Sequence, residues 1–284
     1  MCRLFGLSAS PERVHASFWL LDAPDSLVSQ SHRNPDGTGL SFFDADGTPV
    51  LDKEPLAAFS DQAFAREARH VSSTTFVSHI RFATTGECTV ENTHPYAMDG
   101  RIFAHNGVLG GLERLEAELG DELSLVHGQT DSERYFALVT KETRANGGDV
   151  GAGIASAAGW IAANLPVYSI NCVLATEHEL WAFRYPETHR LFVLERPAGG
   201  HREDEALRHE SAELRVHSDH LADHPAVVVA SEPLDDNPEW RLLEPGELVH
   251  VGPDLAVSSR IAVEDPPAHV LQLHYPTGEE RSSE

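Results

Sequence analysis

The order of strand-like and helix-like segments is the feature that most constrains the fold of this chain. Short apolar runs with strand character lie at residues 39–50, 77–82 and 101–104, and Asp46-Gly47 marks the first run as a hairpin. Helical spacing is found at 61–70 and 112–119, and Thr130-Asp131-Ser132-Glu133 is a capping box that opens a further helix. Strand-like runs then return at 168–175, 179–185, 191–195, 226–230 and 247–251. This order predicts an α+β protein with antiparallel sheets rather than a regular βαβ alternation.

Charge limits the partners that the protein is expected to bind. The 284 residues include 21 Lys and Arg against 45 Asp and Glu, a formal net charge of −24. A surface this acidic repels phosphate backbones and anionic lipids, so we expect no nucleic acid and no membrane as partner. Three widely spaced cysteines argue against a disulfide framework and a Cys-rich zinc site, and a cytoplasmic location is the simplest interpretation.

One long segment is uncharged and has to be tested as a membrane span. Residues 150–176 carry no Asp, Glu, Lys or Arg. Several glycines and Asn164-Leu165-Pro166 interrupt the segment, and the proline would break a spanning helix near its middle. We therefore interpret the segment as a buried helix followed by a core strand.

The chain is predicted to form one domain over residues 2–260, followed by a C-terminal strand and frayed tail over residues 261–284. A polar, charged stretch at about 198–224 is interpreted as a solvated insertion rather than a linker. Its histidines are His201, His209, His217, His220 and His224. Their spacing is compatible with a zinc or nickel site, but acidic loops that contain histidine are commoner, so we predict no metal.

Cys2 is a candidate nucleophile because of its position. Its side chain is small, so Met1 is expected to be removed, which would leave an α-amine and a thiol on the same residue. An α-amine has a pKa of about 8 and a thiol one of about 8.5, so the amine is able to act as base for its own nucleophile. The alternative is that Cys2 is a small residue at the start of an edge strand.

Three other segments carry groups suited to binding an amino acid. Arg81 ends a strand-like run, where a guanidinium either grips a carboxylate or forms a structural salt bridge. Asn106-Gly107 ends the next predicted strand and provides either oxyanion donors or a simple turn. Asp131 is favoured at a helix start by the helix dipole, or binds an ammonium group. Together with Cys2, these groups fit a free α-amino acid that bears a side-chain amide, such as glutamine or a γ-glutamyl amide.

The chain resembles the class II glutamine amidotransferases in a set of motifs that occur in the same order. These motifs are Cys2 behind Met1, Arg33-Asn34-Pro35-Asp36-Gly37-Thr38-Gly39, His79-Ile80-Arg81, Asn92-Thr93-His94-Pro95, His105-Asn106-Gly107 and Thr130-Asp131-Ser132-Glu133. Later segments, Ser231-Glu232-Pro233-Leu234 and Leu243-Glu244-Pro245-Gly246-Glu247, also resemble the end of that domain. The resemblance extends to about residue 260 and implies an N-terminal-nucleophile (Ntn) hydrolase fold, a four-layer αββα sandwich.

The resemblance also implies a role for each candidate residue. Cys2 would attack the amide carbon, and Asn106 with Gly107 would hold the oxyanion. Arg81 would bind the substrate α-carboxylate with help from Thr84, and Asp131 would bind the α-ammonium group. No metal or cofactor enters this chemistry.

The chain departs from the large members of that family in two respects. Several members with a synthase domain have a histidine where this chain has Thr85, and the roughly 20 residues of tail are too few for a synthase. The resemblance is closest to stand-alone amidotransferases, which are similar to γ-glutamyl amidohydrolases.

Three functions stay open at this point. The first is an amidase acting on glutamine or a γ-glutamyl compound. The others are a glutaminase subunit that passes ammonia to a separate synthase or works beside a peptidase, and a non-catalytic sensor of γ-glutamyl ligands. Cys88 follows the arginine motif and is interpreted as a core or rim thiol rather than a second nucleophile.

Overall fold

Two sheets lie face to face in the computed structural model, which describes residues 2–82, 87–198 and 224–273. Within these residues the first sheet has seven strands in the order β11 (Arg241–Leu242), β9 (Phe192–Arg196), β10 (Ala226–Ala230), β1 (Arg3–Ser8), β4 (Thr75–Ile80), β2 (Thr38–Phe43) and β3 (Pro49–Glu54). All of its pairings are antiparallel.

The second sheet is also antiparallel along its main path. Its order in the described part of the chain is β13 (Val257–Ile261), β12 (Glu247–Val251), β8 (Leu180–Phe183), β7 (Pro166–Ala175), β6 (Arg101–Leu109) and β5 (Tyr96–Met98). A short strand, β14 (His269–Val270), pairs in parallel with β7.

Helices cover the outer face of each sheet. The first sheet packs against a π-helical turn (Phe18–Asp22), α1 (Leu27–Ser31) and α2 (Gln62–His70), and a 3-10 turn at Ala58–Ser60 lies nearby. The second sheet packs against α3 (Leu112–Leu119), α4 (Asp131–Ala145) and α5 (Val150–Asn164), with a 3-10 turn at Gly120–Leu125. The layers therefore follow the order α, β, β, α, and the predicted four-layer sandwich is confirmed.

Alternation along the strands explains why three separate cores form. In β1, Leu4 packs between the sheets, whereas Phe5 and Leu7 pack against the helices of the first layer. In β6, Ile102 packs between the sheets and Phe103 against the helices of the last layer. Successive side chains in a strand point to opposite faces, so strands that are apolar at nearly every position are buried on both sides.

The capping box predicted at the start of α4 is present in a modified form. The Thr130 hydroxyl accepts a hydrogen bond from the Glu133 N–H at 3.2 Å, as expected of an N-cap residue. The Glu133 carboxylate accepts from the N–H groups of His127 at 3.1 Å and Gly128 at 2.6 Å instead of from Thr130. The acid therefore secures the loop that leads into the helix.

The uncharged segment forms α5 and then β7, as predicted. No helix in the described residues is long and apolar enough to cross a bilayer. The strand predicted at 101–104 is longer than expected, because β7 pairs with β6 as far as Leu109. Most of the predicted polar insertion and the end of the predicted tail, residues 199–223 and 274–284, lie outside the described residues.

Candidate active site

Cys2 directly precedes β1, which is a central strand of the first sheet. The antiparallel neighbours of β1 are β10 and β4, so the alternative that Cys2 begins an edge strand is wrong. The Cys2 Sγ accepts a hydrogen bond from the Phe82 N–H at 3.2 Å and lies 3.4 Å from the Phe82 carbonyl oxygen. The thiol is thus held beside the backbone that directly follows Arg81.

Arg81 follows the last residue of β4 and is 3% exposed. Its N–H donates to the Gly37 carbonyl at 2.8 Å, and its guanidinium donates to the Glu87 carbonyl at 3.2 Å. Its burial near Cys2 places a cation beside the thiol, and a guanidinium is well suited to binding a carboxylate.

Asp131 is the first residue of α4 and is also 3% exposed. Its carboxylate accepts from the Leu109 N–H at 2.8 Å and from the Ser132 N–H at 2.9 Å. The helix dipole favours an anion at this position, as the sequence suggests. Because Leu109 ends β6, the carboxylate also ties α4 to the strand that carries Asn106 and Gly107.

Asn106 and Gly107 lie inside β6 and do not form a turn, so the prediction that the strand ends before them is wrong. They pair with Asn171 and Ile170 of β7. A Cβ atom at Gly107 would come within 1.8 Å of the Ser169 carbonyl oxygen. Glycine is therefore required here by the close approach of two backbones rather than by a turn conformation.

A small cavity brings together four of the predicted site residues. Cys2, Arg81, Gly107 and Asp131 all line it, with five further residues that were not predicted as site residues: Phe82, His94, Thr130, Ser132 and His105. Asn106 lines a separate neighbouring cavity of about 490 Å³. The cavity at Cys2 measures about 20 Å³, which is room for about one water molecule. This volume is smaller than an amino acid occupies.

Three buried histidines lie at this cavity, and two of them, His94 and His105, line it. The His79 and His94 rings are 4.1 Å apart, and burial lowers the pKa of His79 to about 3 and that of His94 well below its usual value. His105 lies 2.9 Å from the Ser132 hydroxyl and 3.2 Å from the Ser169 carbonyl oxygen. Burial lowers its pKa too, so all three rings are neutral near pH 7. In the sequence, each of these histidines belongs to one of the motifs His79-Ile80-Arg81, Asn92-Thr93-His94-Pro95 and His105-Asn106-Gly107, and this is the signal that could have identified them.

Burial also raises the pKa of the Cys2 thiol, although the Phe82 N–H acts in the opposite direction. A thiol with a raised pKa is protonated at neutral pH and needs a base before it can attack. The cavity histidines His94 and His105 are weak bases because their pKa values are lowered.

The other sequence candidates lie outside the described residues or outside the cavity at Cys2. Thr84 is outside the described residues, as are His201, His209, His217 and His220. Cys88 is exposed and lines none of the cavities named above. No group of three or more metal-ligating side chains occurs in the part of the chain that the structure describes.

A family model described as glutamine amidotransferases class-II matches residues 1–266. The chain belongs to this family. Among curated relatives of this family member, the Escherichia coli protein named "Putative glutamine amidotransferase YafJ" is 27% identical over 259 residues. That match covers 87% of this chain and 96% of the relative.

Solved structures share the fold of this class-II amidotransferase family member. A glutamine aminotransferase class-II domain protein from Silicibacter pomeroyi has a TM-score of 0.60 at 23% identity, over 92% of this chain and 99% of that one. Glutamine PRPP amidotransferase from B. subtilis has a TM-score of 0.65 at 19% identity, over 93% of this chain and 50% of that one.

Proposed function

We propose that this protein is an amidase that hydrolyses the side-chain amide of glutamine, or of a γ-glutamyl compound, through a thioester on Cys2. The observation that carries the proposal is the shared cavity of Cys2, Arg81, Gly107 and Asp131. It combines a thiol, a buried cation and a buried anion, which are the groups needed to attack an amide and bind both charges of an amino acid. Family membership supports the same chemistry.

In the proposed reaction, the thiol sulfur of Cys2 bonds to the amide carbon and the carbonyl oxygen becomes an oxyanion. The Gly107 N–H and the Asn106 side chain stabilise that charge. The carbon–nitrogen bond then breaks, the amine leaves with a proton, and a γ-glutamyl thioester remains on Cys2. Water hydrolyses the thioester to glutamate and restores the thiol. Arg81 holds the α-carboxylate and Asp131 the α-ammonium group throughout.

The base in this proposal is the α-amine of Cys2, which becomes free when Met1 is removed. The thiol requires a base because burial raises its pKa, and the cavity histidines are poorly suited to that task. An α-amine with a pKa of about 8 is well placed to take the thiol proton and later to give it to the leaving amine.

The experiment is to measure glutamate released from glutamine by the wild type, Cys2→Ala and Cys88→Ala. We expect the Cys2→Ala variant to lose at least about 1,000-fold in kcat, because the nucleophile is removed. The Cys88→Ala variant should match the wild type, because that thiol is exposed and outside the cavity. An electrophilic glutamine analogue should label Cys2. Full activity in Cys2→Ala would contradict the proposal.

Removal of Met1 is a second, independent requirement. The intact mass of active protein should lack one methionine. If active protein retains Met1, the α-amine of Cys2 is not free and another base must act.

A separate synthase or peptidase partner and a cytoplasmic location remain predictions from the sequence. Copurification with a synthase that raises glutaminase turnover would test the first, and cell fractionation the second.

A further inference from the structure

A second cavity adjoins the cavity at Cys2 and has no role in the steps above. Its volume is about 490 Å³, and its lining includes Arg3, Asn106, His189, Arg190 and Glu232. We call it the Asn106 cleft. A volume of several hundred cubic ångströms is typical of a small-molecule site, whereas ammonia is about as large as one water molecule.

In each of two pairs of residues adjacent in the sequence, one residue lines the cavity at Cys2 and the other lines the Asn106 cleft. Cys2 and Gly107 line the cavity at the thiol, whereas the next residue, Arg3, and the preceding residue, Asn106, line the Asn106 cleft. Arg3 also donates to the Cys2 carbonyl at 3.3 Å. The two candidate oxyanion donors, the Asn106 side chain and the Gly107 N–H, therefore lie at the boundary between the cavities.

This boundary determines where the two halves of a substrate must lie. An amide carbon attacked by Cys2, with its oxygen directed to Asn106 and Gly107, has its glutamyl half toward Arg81 and Asp131. The nitrogen that leaves is on the opposite side of that carbon. The Asn106 cleft, which Asn106 itself lines, is large enough to hold a group carried by this nitrogen.

The charges in the Asn106 cleft indicate the chemistry of the occupant. Arg3 is already paired with Glu232 at 3.0 Å, and Asp25 is approached by the Gln30 amide at 3.5 Å. Arg190 is exposed and forms no ion pair with a described residue. An exposed guanidinium without a carboxylate partner at the edge of a cleft suits a carboxylate of the ligand.

His189 is a second indication that the Asn106 cleft is a binding site. It is 6% exposed, and neither ring nitrogen makes a well-formed hydrogen bond with a described residue, although the nearby Asn106 backbone acts to raise the pKa of the ring. Burial lowers its pKa to about 4, so the ring is neutral near pH 7. Attraction of an anion into the cleft therefore depends on arginine and not on this imidazole.

Building on the proposed function, we infer that the Asn106 cleft binds the leaving half of a γ-glutamyl amide. That half is an amino acid or short peptide, joined through its α-amine to the γ-carboxyl group, with its own carboxylate bound by Arg190. Cleavage breaks the bond between the carbonyl carbon of the γ-carboxyl group and this nitrogen, forms the Cys2 thioester at that carbon, and releases the amino acid after its nitrogen gains one proton. Water then releases glutamate.

The test compares three substrates: glutamine, γ-glutamylglycine and γ-glutamylglycinamide, which lacks the carboxylate. For wild-type protein we expect kcat/KM for γ-glutamylglycine to exceed that for γ-glutamylglycinamide about tenfold, the factor for one partly exposed charge-assisted contact. Arg190→Gln should reduce this ratio to about 1, chiefly through KM for γ-glutamylglycine. Arg66→Gln is the matched control, because Arg66 is an exposed helix residue outside the cleft, and should keep the wild-type ratio.

A steric variant tests the position of the leaving half without relying on charge. Thr188 is an exposed residue of the cleft lining, so Thr188→Trp should fill space there with little risk to folding. It should lower kcat/KM for γ-glutamylglycine more than for glutamine. An equal effect on both substrates would overturn the inference, as would a wild-type ratio of 1 for the charged and uncharged glycine substrates.

Failure of this inference is distinguishable from failure of the proposed function. If glutamine is hydrolysed in a Cys2-dependent way but γ-glutamylglycine is not, the amidase proposal holds and the assignment of the cleft is wrong. If no substrate yields glutamate through Cys2, the amidase proposal itself is wrong.

Discussion

The Asp131 carboxylate accepts a hydrogen bond from the Leu109 N–H at 2.8 Å, across 22 positions of sequence. This contact joins the first residue of α4 to the end of β6, the strand that carries Asn106 and Gly107. One side chain therefore contributes a negative charge to the cavity at Cys2 and also fixes the helix against the strand.

These two contributions of Asp131 are separable by substitution. Asp131→Asn keeps an oxygen that accepts from Leu109 but removes the charge and the second oxygen, which accepts from the Ser132 N–H. We expect kcat/KM for glutamine to fall about 10- to 100-fold, with a smaller loss of stability than in Asp131→Ala. Asp131→Ala removes both oxygens and the charge, and the free energy of unfolding should fall by about 1.5–3 kcal/mol. Glutamate release and urea denaturation measure the two effects. Equal stability of the two variants would contradict the structural role.

Arg81 is predicted to select substrates that carry an α-carboxylate. Wild-type protein should hydrolyse glutamine at least about tenfold better than 4-aminobutanamide, which lacks that group, because the guanidinium forms charge-assisted hydrogen bonds. Arg81→Gln should remove this preference. The measurement is the ratio of kcat/KM for the two amides, and a variant that keeps the wild-type ratio would assign carboxylate binding to another residue.

Gly107 is predicted to tolerate no side chain. Gly107→Ala should lower the free energy of unfolding by about 2 kcal/mol or more, because the new Cβ would meet the Ser169 carbonyl oxygen, a backbone atom that cannot swing aside. Gly159→Ala is the matched control: Gly159 lies in α5, and a Cβ there meets nothing within 4 Å. That variant should be stabilised by about 0.5–1 kcal/mol through helix propensity. Urea denaturation distinguishes the two, and a stable Gly107→Ala protein would contradict the close approach.

Buried His79 is predicted to make stability depend on pH. Its pKa is lowered from the ordinary value of 6.5 to about 3, so the unfolded chain takes up a proton in this interval and the folded protein does not. The free energy of unfolding should therefore fall as pH decreases from about 6.5, by up to about 1.4 kcal/mol per pH unit for one histidine.

Replacement of His79 should make this dependence shallower. We expect the free energy of unfolding of His79→Asn, measured by urea denaturation between about pH 7 and pH 5, to depend less on pH than that of the wild type. The difference in slope should correspond to the uptake of up to one proton on unfolding. The exposed His269 of β14 provides the control, and His269→Gln should keep the wild-type slope. An unchanged slope in His79→Asn would show that other groups cause the dependence.

Local sequence patterns predicted α2, α3, α4, α5 and most strands, because periodicity and capping act over a few residues, but they did not predict the short helix α1. The helix predicted at 112–119 coincides with α3, and Thr130 caps α4 as expected. Asn106-Gly107 was harder to interpret, because the pair is typical of turns and only pairing with β7 holds it in a strand. The position of His94 and His105 at the cavity was likewise not predicted, since burial beside a cavity depends on distant elements.

The sequence by itself determined which chemical groups this protein has and the order of its strands and helices. Only the tertiary structure decided which groups meet. Phe82 lies 80 positions from Cys2 in the sequence, and it contacts the Cys2 sulfur because β1 pairs with β4. Asp131 lines the same cavity because α4 packs on the second sheet. The tertiary structure also placed Asn106 and Gly107 at the boundary between two cavities. These contacts follow from strand pairing and layer packing between distant segments, which no local pattern specifies.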